Sequence, residues 1–182
     1  MTILILHGIE GYAGNHWQQW LHDKLVAKNH IVIMPSLPKA DHPNRSTLLK
    51  KINKVVGSSK LAELVIVGHS LGVPASLDFI EQADKPIKAL ISVSGFSEDY
   101  GAEMNSYFLE KRTIDFKKVN KKLSKAFVVF GDDDPYVPQS QLKLLAKKLK
   151  VKPKIIKKGG HLNTDSGYTT FPWLFEIIEN LS

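Results

Sequence analysis

One serine occupies a position where a simple turn would not need a hydroxyl group. The stretch Leu64 to Ile80 reads LVIVGHSLGVPASLDFI, in which an apolar run passes through Gly68 and Ser70 into a helical pattern. The letters GHSLG fit G-x-S-x-G, in which small flanking residues permit a strained turn that exposes a serine oxygen. A serine hydroxyl is a weak nucleophile at neutral pH. It therefore needs a histidine as base and, commonly, a carboxylate that orients the histidine.

Candidates for the base and the acid follow later apolar runs. His161 stands in the turn GGHLN, and Asp132, Asp133 and Asp134 stand in GDDDPYVP. Taken alone, the aspartates could cap the next helix or bind a cation, and the histidine could be an ordinary loop residue. The order serine, aspartate, histidine is that of α/β-hydrolases. Since all of them follow strand-like runs, we predict a Ser-Asp-His triad with Ser70 as nucleophile and His161 as base.

The negative charge that develops on the attacked carbonyl oxygen also needs hydrogen-bond donors. One backbone N–H is expected from Leu71, which directly follows the serine at the start of its helix. The second is expected from the turn HGIEG after the first strand, where Ile9 follows His7 and Gly8. The sequence thus predicts an oxyanion hole formed by the N–H groups of Ile9 and Leu71, although HGIEG could also be a plain turn.

Apolar runs alternate with helical patterns along the chain. Most of the runs are continuously apolar, as in strands of a parallel sheet that is covered on both faces. We predict a three-layer α/β/α sandwich with a mainly parallel sheet of about six strands. The predicted strands are Thr2–Leu6, His30–Met34, Glu63–Gly68, Ile87–Ser94, Ala126–Gly131 and Pro153–Lys157, and the predicted helices are Asn15–Lys28, Arg45–Val56, Leu71–Gln82, Pro138–Lys150 and Phe171–Leu181.

Composition predicts an ordinary globular protein. The chain has 182 residues, of which 43% are hydrophobic and 24% charged, so we expect one domain over residues 1–182. The first apolar run is too short for a signal peptide, and no basic segment precedes it, so a cytoplasmic location is expected. The absence of cysteine excludes disulfides, thiolate metal sites and a cysteine nucleophile.

The formal net charge of +7 raises the question of an anionic partner. Many of the lysines lie in Lys117–Lys125 and Lys143–Lys158, where they alternate with apolar residues as on solvated helix faces and strand ends. No nucleic-acid-binding motif accompanies them. We therefore expect neither a nucleic-acid nor a membrane partner.

Four segments together resemble small single-domain α/β-hydrolases related to retinoblastoma-binding protein nine and YdeN. They are LILHGIEGYAGNHWQQWL, VGHSLG, FGDDDPYVP and GGHLN, and the pair His16 and Trp17 followed by Trp20 is their most distinctive part. The resemblance implies an esterase-type serine hydrolase with nucleophile Ser70, acid Asp134 and base His161. Asp134 is favoured over its neighbours because it directly precedes PYVP. We expect a small acyl ester as substrate and neither a cofactor nor a metal.

Other functions remain open on the sequence alone. Fold does not dictate activity, so the chain could be a non-catalytic protein-binding module on a hydrolase scaffold. A protein partner would have to bind by something other than the retinoblastoma-pocket motif L-x-C-x-E, which needs a cysteine. A thioesterase, amidase or peptidase would use the same triad. A dehalogenase is disfavoured, because its nucleophile at this turn would be aspartate.

The segment Gly95–Ser124 is the one long connection in the predicted fold. It is short for a lid that encloses a long acyl chain, so we expect an open site that prefers short acyl esters. Its aromatic residues could form a pocket wall, with at least two of them packing in the core instead; they are Phe96, Tyr100, Tyr107 and Phe108. Trp17 and Trp20 are expected to pack against the sheet, with His16 at the rim of the site.

Overall fold

The apolar runs form the strands of one parallel sheet. The computed structural model describes residues 1–38, 41–57, 60–102 and 106–181. In these residues the sheet has six strands in the order β2-β1-β3-β4-β5-β6, and every neighbouring pair is parallel. The strands are β1 (Thr2–Leu6), β2 (Ile31–Ile33), β3 (Leu64–His69), β4 (Ile87–Val93), β5 (Leu123–Gly131) and β6 (Lys154–Ile156).

Helices cover both faces of this sheet, which confirms the predicted three-layer α/β/α fold. Strand side chains alternate between the two faces, so that Leu4 and Leu6 enter one core while Ile3 and Ile5 enter the other. The described residues contain six helices, α1 (Gln18–Val26), α2 (Arg45–Val56), α3 (Gly72–Gln82), α4 (Phe116–Lys122), α5 (Gln139–Lys148) and α6 (Pro172–Glu179). Helices α1 and α6 pack on one face, and α2, α3, α4 and α5 pack on the other.

Helix α4 is not among the helices whose bounds were predicted from the sequence. It lies within the predicted long connection after β4, and its Asp115 N-cap accepts hydrogen bonds from the N–H groups of Lys117 and Lys118. Only Val119 of its seven residues is buried, so its apolar stripe is short and narrow. Residues 103–105 of the same connection lie outside the described residues. None of the helices in the described ranges is long and apolar enough to cross a membrane.

A buried ion pair ties the connection after β4 to helices α2 and α3. The guanidinium of Arg45 donates two hydrogen bonds of 2.6 Å to the carboxylate of Asp78, and both side chains are almost completely buried. Tyr107 also donates its hydroxyl to Asp78. Burial and the Asp78 carboxylate raise the pKa of Tyr107 well above its ordinary value, so the hydroxyl keeps its proton. The Arg45 guanidinium further donates to the backbone carbonyl of Arg112.

Asp78→Asn tests how much this buried pair stabilises the fold. The change leaves the Arg45 charge buried without its counter-charge, and breaking a buried pair in this way typically costs about 3–5 kcal/mol of unfolding free energy. Urea unfolding followed by circular dichroism measures the loss. The control is Glu63→Gln, whose ion pair with Lys60 is exposed on both sides, and it should cost less than about 1 kcal/mol. Equal losses in the two variants would contradict this account of the pair.

Candidate active site

Ser70 stands at a strained turn between β3 and α3. Its backbone φ is +52°, a left-handed conformation that residues other than glycine rarely adopt. The Ser70 N–H donates to the carbonyl of Val93, and the Val73 N–H donates to the carbonyl of Ser70, both within 3.0 Å. These two bonds hold the turn on both sides. They present the serine at the carboxyl edge of the sheet, where α/β proteins commonly bind ligands.

The two glycines of GHSLG let helix α3 start directly against the sheet. A methyl group on Gly68 would come within 2.9 Å of the Gly72 backbone, which is closer than real contacts of this kind. A methyl group on Gly72 would overlap the carbonyl oxygen of Leu6 in β1. The G-x-S-x-G spacing therefore reflects a steric requirement on both sides of Ser70.

The loop after β1 lies against the serine. A methyl group on Gly8 would come within 2.9 Å of the Ser70 Cβ and 3.4 Å of its Oγ, so this backbone passes directly beside the hydroxyl. The Leu37 N–H donates to His7 Nε2, which leaves the ring proton on Nδ1, and Nδ1 donates to the Gly8 carbonyl. Burial lowers the pKa of His7, in keeping with a neutral ring. His7 thus fixes the loop that approaches Ser70.

The two N–H groups predicted for the oxyanion hole both belong to segments beside the serine. Ile9 follows Gly8 in the β1 loop, and Leu71 precedes the first residue of α3. In the described part of the chain, neither of these N–H groups donates to a backbone carbonyl. Both are therefore available to a ligand oxygen near Ser70, as the oxyanion prediction requires.

Asp134 and His161 meet across two loops. The Nδ1 of His161 lies 2.8 Å from Oδ2 and 3.0 Å from Oδ1 of Asp134, and both side chains are buried. Oδ1 of Asp134 also accepts the N–H groups of Tyr136 and Val137, which keeps the carboxylate facing the histidine. Since Nδ1 donates to a carboxylate, the lone pair of the neutral ring is on Nε2.

The other two aspartates hold the histidine loop through its backbone. Asp132 accepts the N–H of Lys158, and Asp133 accepts the N–H of Gly160, each at 2.7 Å. Gly131 must be glycine here, because a methyl group would overlap the backbone of Gly160. Three consecutive aspartates therefore contact the loop of His161, and only Asp134 contacts the ring.

Ser70 and His161 line one pocket of about 580 Å³. The described residues contain no hydrogen bond between the serine hydroxyl and the histidine ring, so the contact between nucleophile and base stays a prediction. Burial, with the charges of Asp134 and Asp99 nearby, raises the pKa of Tyr100 to about 12, so its hydroxyl remains protonated at neutral pH. Besides Ser70, His161 and Tyr100, the pocket is lined by Gly8, Ile9, Glu10, Gly11, Asn15, His16, His69, Ala102, Tyr136, Asn163 and Asp165.

His69, the residue before the nucleophile, lines the pocket and contacts the histidine loop. Its Nε2 donates to the backbone carbonyl of His161 at 2.9 Å, and the two rings lie 4.9 Å apart. Burial lowers the pKa of His69 well below its ordinary value, and the neighbouring His161 adds to the effect. The sequence did not indicate this role, because a strand that is covered on both faces lacks the alternation of polar and apolar residues that shows which face a side chain occupies.

The distinctive tryptophans pack as predicted. Trp17 is fully buried in the core that includes Leu21 and Phe171, and its indole N–H donates to the carbonyl of Leu162, one residue after His161. Trp20 is partly buried and packs edge-on against Phe175. Trp17 therefore also supports the histidine loop, a role that its spacing alone did not indicate.

The aromatic residues after β4 divide between the core and the pocket. Phe96 and Tyr107 are fully buried, and Phe108 packs partly against the same core. Tyr100 alone among these four lines the pocket of Ser70. In the described ranges, no group of three or more histidine, aspartate and glutamate side chains has the arrangement of a metal site.

Comparisons with known proteins agree with this geometry. The profile of the serine hydrolase family matches residues 3–180. YdeN of Bacillus subtilis (strain 168) is 27% identical over 178 residues, which are 97% of this chain and 93% of that protein. The crystal structure of the B. subtilis ydeN gene product superposes with a TM-score of 0.91 at 26% identity, covering 99% of this chain and 97% of the other. The resemblance inferred from the motifs is thereby confirmed.

A more distant structure shares the fold. Est1E from Butyrivibrio proteoclasticus, solved with ferulic acid bound, has a TM-score of 0.77 at 17% identity, with 98% of this chain and 86% of that chain covered. At this level of identity the likeness concerns the fold. The shared fold agrees with the parallel six-stranded sheet described above.

The buried, neutral His69 predicts that the protein loses stability in acid. Its pKa is ordinary, 6.5, in the unfolded chain and lower in the folded one, so the unfolded state binds more protons below about pH 6.5. The unfolding free energy should be level above that pH and fall below it, by at most about 1.4 kcal/mol per pH unit for this group. Urea unfolding between pH 5 and pH 8 measures the slope.

His69→Gln separates this contribution from that of His7, whose lowered pKa acts in the same direction. The variant should show a shallower decline below pH 6.5, whatever its stability at pH 8. His42→Gln, at an exposed histidine, is the matched control and should keep the wild-type slope. An unchanged slope in His69→Gln would contradict the assignment.

Proposed function

This chain belongs to the serine hydrolase family, and we propose that it hydrolyses small acyl esters through an acyl-enzyme formed on Ser70. His161 acts as the general base and Asp134 orients it. The observation that carries the proposal is the Asp134–His161 pair, since it leaves the lone pair of the neutral imidazole on Nε2 in the pocket that the strained serine also lines. The serine hydrolase family and the fold of its neighbours support hydrolysis as the reaction type.

In the first half of the proposed reaction, Ser70 Oγ attacks the carbonyl carbon of the ester. Its proton passes to Nε2 of His161, and the Asp134 carboxylate stabilises the imidazolium that forms. The carbonyl oxygen becomes an oxyanion and accepts hydrogen bonds from the N–H groups of Ile9 and Leu71. The bond to the alcohol oxygen then breaks, and His161 gives its proton to that oxygen as the alcohol leaves.

In the second half, water takes the place of the alcohol. His161 Nε2 removes a proton from the water, whose oxygen attacks the acyl carbon, and the same two N–H groups receive the second oxyanion. Collapse of this intermediate returns the proton to Ser70 Oγ and releases the carboxylic acid. The pocket volume of about 580 Å³ lies in the ordinary range for small-molecule sites.

Two kinds of alternative function differ in whether they need the triad. A thioesterase, amidase or peptidase would share Ser70, His161 and Asp134, and a panel of esters, thioesters and amides with a common acyl group would rank them. A non-catalytic binding module would have no need of a strained serine beside two available N–H groups. Absence of a nucleic-acid or membrane partner stays a prediction from the sequence.

Ser70→Ala tests the nucleophile. Without the hydroxyl no acyl-enzyme forms, so turnover of p-nitrophenyl acetate should fall by about 10³-fold or more, while the melting temperature stays close to that of the wild type. A fluorophosphonate probe should label the wild type at Ser70 and leave the variant unlabelled. Ser46→Ala, at an exposed serine of α2, is the control and should keep both activity and labelling. Retention of more than about a tenth of the activity in Ser70→Ala would refute the assignment.

Asp134→Asn and Asp132→Asn test which aspartate is the acid. An amide at 134 cannot stabilise the imidazolium and favours the wrong tautomer, so kcat should fall by up to about 10⁴-fold. Asn at 132 retains an oxygen that accepts the Lys158 N–H, so kcat should fall by less than tenfold, the effect of about 1 kcal/mol expected for one altered hydrogen bond. Steady-state kinetics on p-nitrophenyl acetate gives both values. The reverse ranking would assign the acid to Asp132.

A further inference from the structure

His16 adopts an uncommon backbone conformation beside the site. Its φ is +56°, in the left-handed region, and it directly precedes the buried Trp17. The His16 N–H donates to the side-chain oxygen of Asn15 at 3.0 Å, which holds the strained turn. Strain of this kind persists where the surrounding structure imposes it, and it is concentrated at functional sites. The turn places the imidazole of His16 in the wall of the Ser70 pocket.

The hydrogen bonds of His16 determine where its proton lies. The backbone N–H of Thr164 donates to Nδ1 at 3.2 Å, and the Thr164 hydroxyl lies 3.0 Å from the same nitrogen. A backbone N–H can only donate, so Nδ1 is an acceptor and the proton of the neutral ring is on Nε2. Burial lowers the pKa of His16, and nearby His161 adds to this effect, in keeping with a neutral ring. Among the described residues, none accepts a hydrogen bond from Nε2.

His16 stands on the same side of the pocket as the proposed base. Its ring lies 5.4 Å from that of His69, which in turn lies 4.9 Å from that of His161. Its partner Thr164 belongs to the loop that carries His161. Since His161 must hand its proton to the departing alcohol oxygen, the alcohol portion of the ester lies on this side of the pocket. The Nε2–H of His16 therefore belongs to the part of the pocket wall where the alcohol portion of the substrate is expected.

The remaining polar groups of the pocket wall indicate what kind of alcohol fits. Glu10 and Asp165 line the same pocket and contribute carboxylate oxygens, which repel an anionic alcohol and accept hydrogen bonds from hydroxyl groups. A hydroxyl group can accept from His16 Nε2–H and donate to a carboxylate at the same time. An alcohol with additional hydroxyl groups satisfies both kinds of partner, whereas an alkyl alcohol offers no acceptor to the half-buried N–H of His16.

We propose that His16 binds the alcohol portion of the substrate and that the site takes short acyl esters of polyhydroxylated alcohols. The inference rests on the proposed esterase function and adds the class of leaving alcohol to it. It assigns to His16 a direct hydrogen bond to substrate, with no proton transfer.

A matched pair of esters tests this inference. Glycerol monobutyrate and propyl butyrate share the acyl group and a three-carbon alcohol, and they differ in the two free hydroxyl groups. Release of butyric acid is followed by alkali titration for the wild type, His16→Phe and His16→Asn. Phe keeps a ring and removes the donor, and Asn tolerates a positive φ but is too short to replace Nε2. His42→Phe, at an exposed histidine, is the control.

The wild type should prefer the glycerol ester in kcat/KM. The loss of one hydrogen bond should reduce this preference roughly three- to tenfold in both His16 variants and leave it unchanged in His42→Phe. A purely structural role of His16 would lower kcat/KM for the two esters equally, and that result would overturn the inference. So would the absence of a preference in the wild type, or hydrolysis of neither ester by a protein whose Ser70 is labelled by fluorophosphonate. If Ser70 is not labelled and no ester is hydrolysed, the proposed function fails together with the inference.

Discussion

The start of helix α3 lies in close contact with the sheet, and the arrangement of the site depends on this contact. Gly68 and Gly72 allow the helix to begin in contact with β1 and β3, and the residue between them must then turn sharply. Ser70 takes that turn at φ +52°. The same approach brings the loop after β1 against the serine, so one steric condition accounts for the exposed hydroxyl and for the two neighbouring N–H groups.

Three histidines in or beside the pocket are kept neutral by burial, and two of them, His16 and His69, line its wall. His7, His16 and His69 each have a lowered pKa, and each has one ring nitrogen fixed by a backbone group. Although the chain has a net charge of +7, these three rings therefore carry no positive charge near His161 at neutral pH. In the proposed reaction, the imidazolium of His161 would form without repulsion from its neighbours, while the Asp134 carboxylate offsets its charge.

Residues with strong local signals were predictable from the sequence. The central strands are continuous apolar runs, and their observed bounds differ from the predicted ones by one residue at β3 and β4. The proximity of Asp134 and His161 followed from their positions after parallel strands. Helix α4 was not given bounds from the sequence because it has only seven residues and buries only Val119.

Contacts between distant charged or polar residues were not predictable. Asp78 lies in a helix whose other residues are largely apolar, and this is the one sequence signal that it needs a buried partner. Nothing in the sequence identifies that partner as Arg45, which lies thirty-three residues earlier. The same holds for His69 and the carbonyl of His161. Local patterns indicate which face a side chain occupies, and they contain no information about which distant group comes to meet it.

The three consecutive aspartates have a consequence for how this protein can vary in evolution. Asp132 and Asp133 hold the histidine loop through the N–H groups of Lys158 and Gly160, and every amino acid except proline has such a group. The contact therefore does not depend on the side chain at position 158, where the φ of +54° limits substitutions to residues that tolerate a left-handed backbone, but it does depend on the number of residues between the aspartates and the histidine. Among homologues, selection should act on loop length and on the carboxylates, and an insertion of one residue should be purged more strongly than almost any substitution of Lys158.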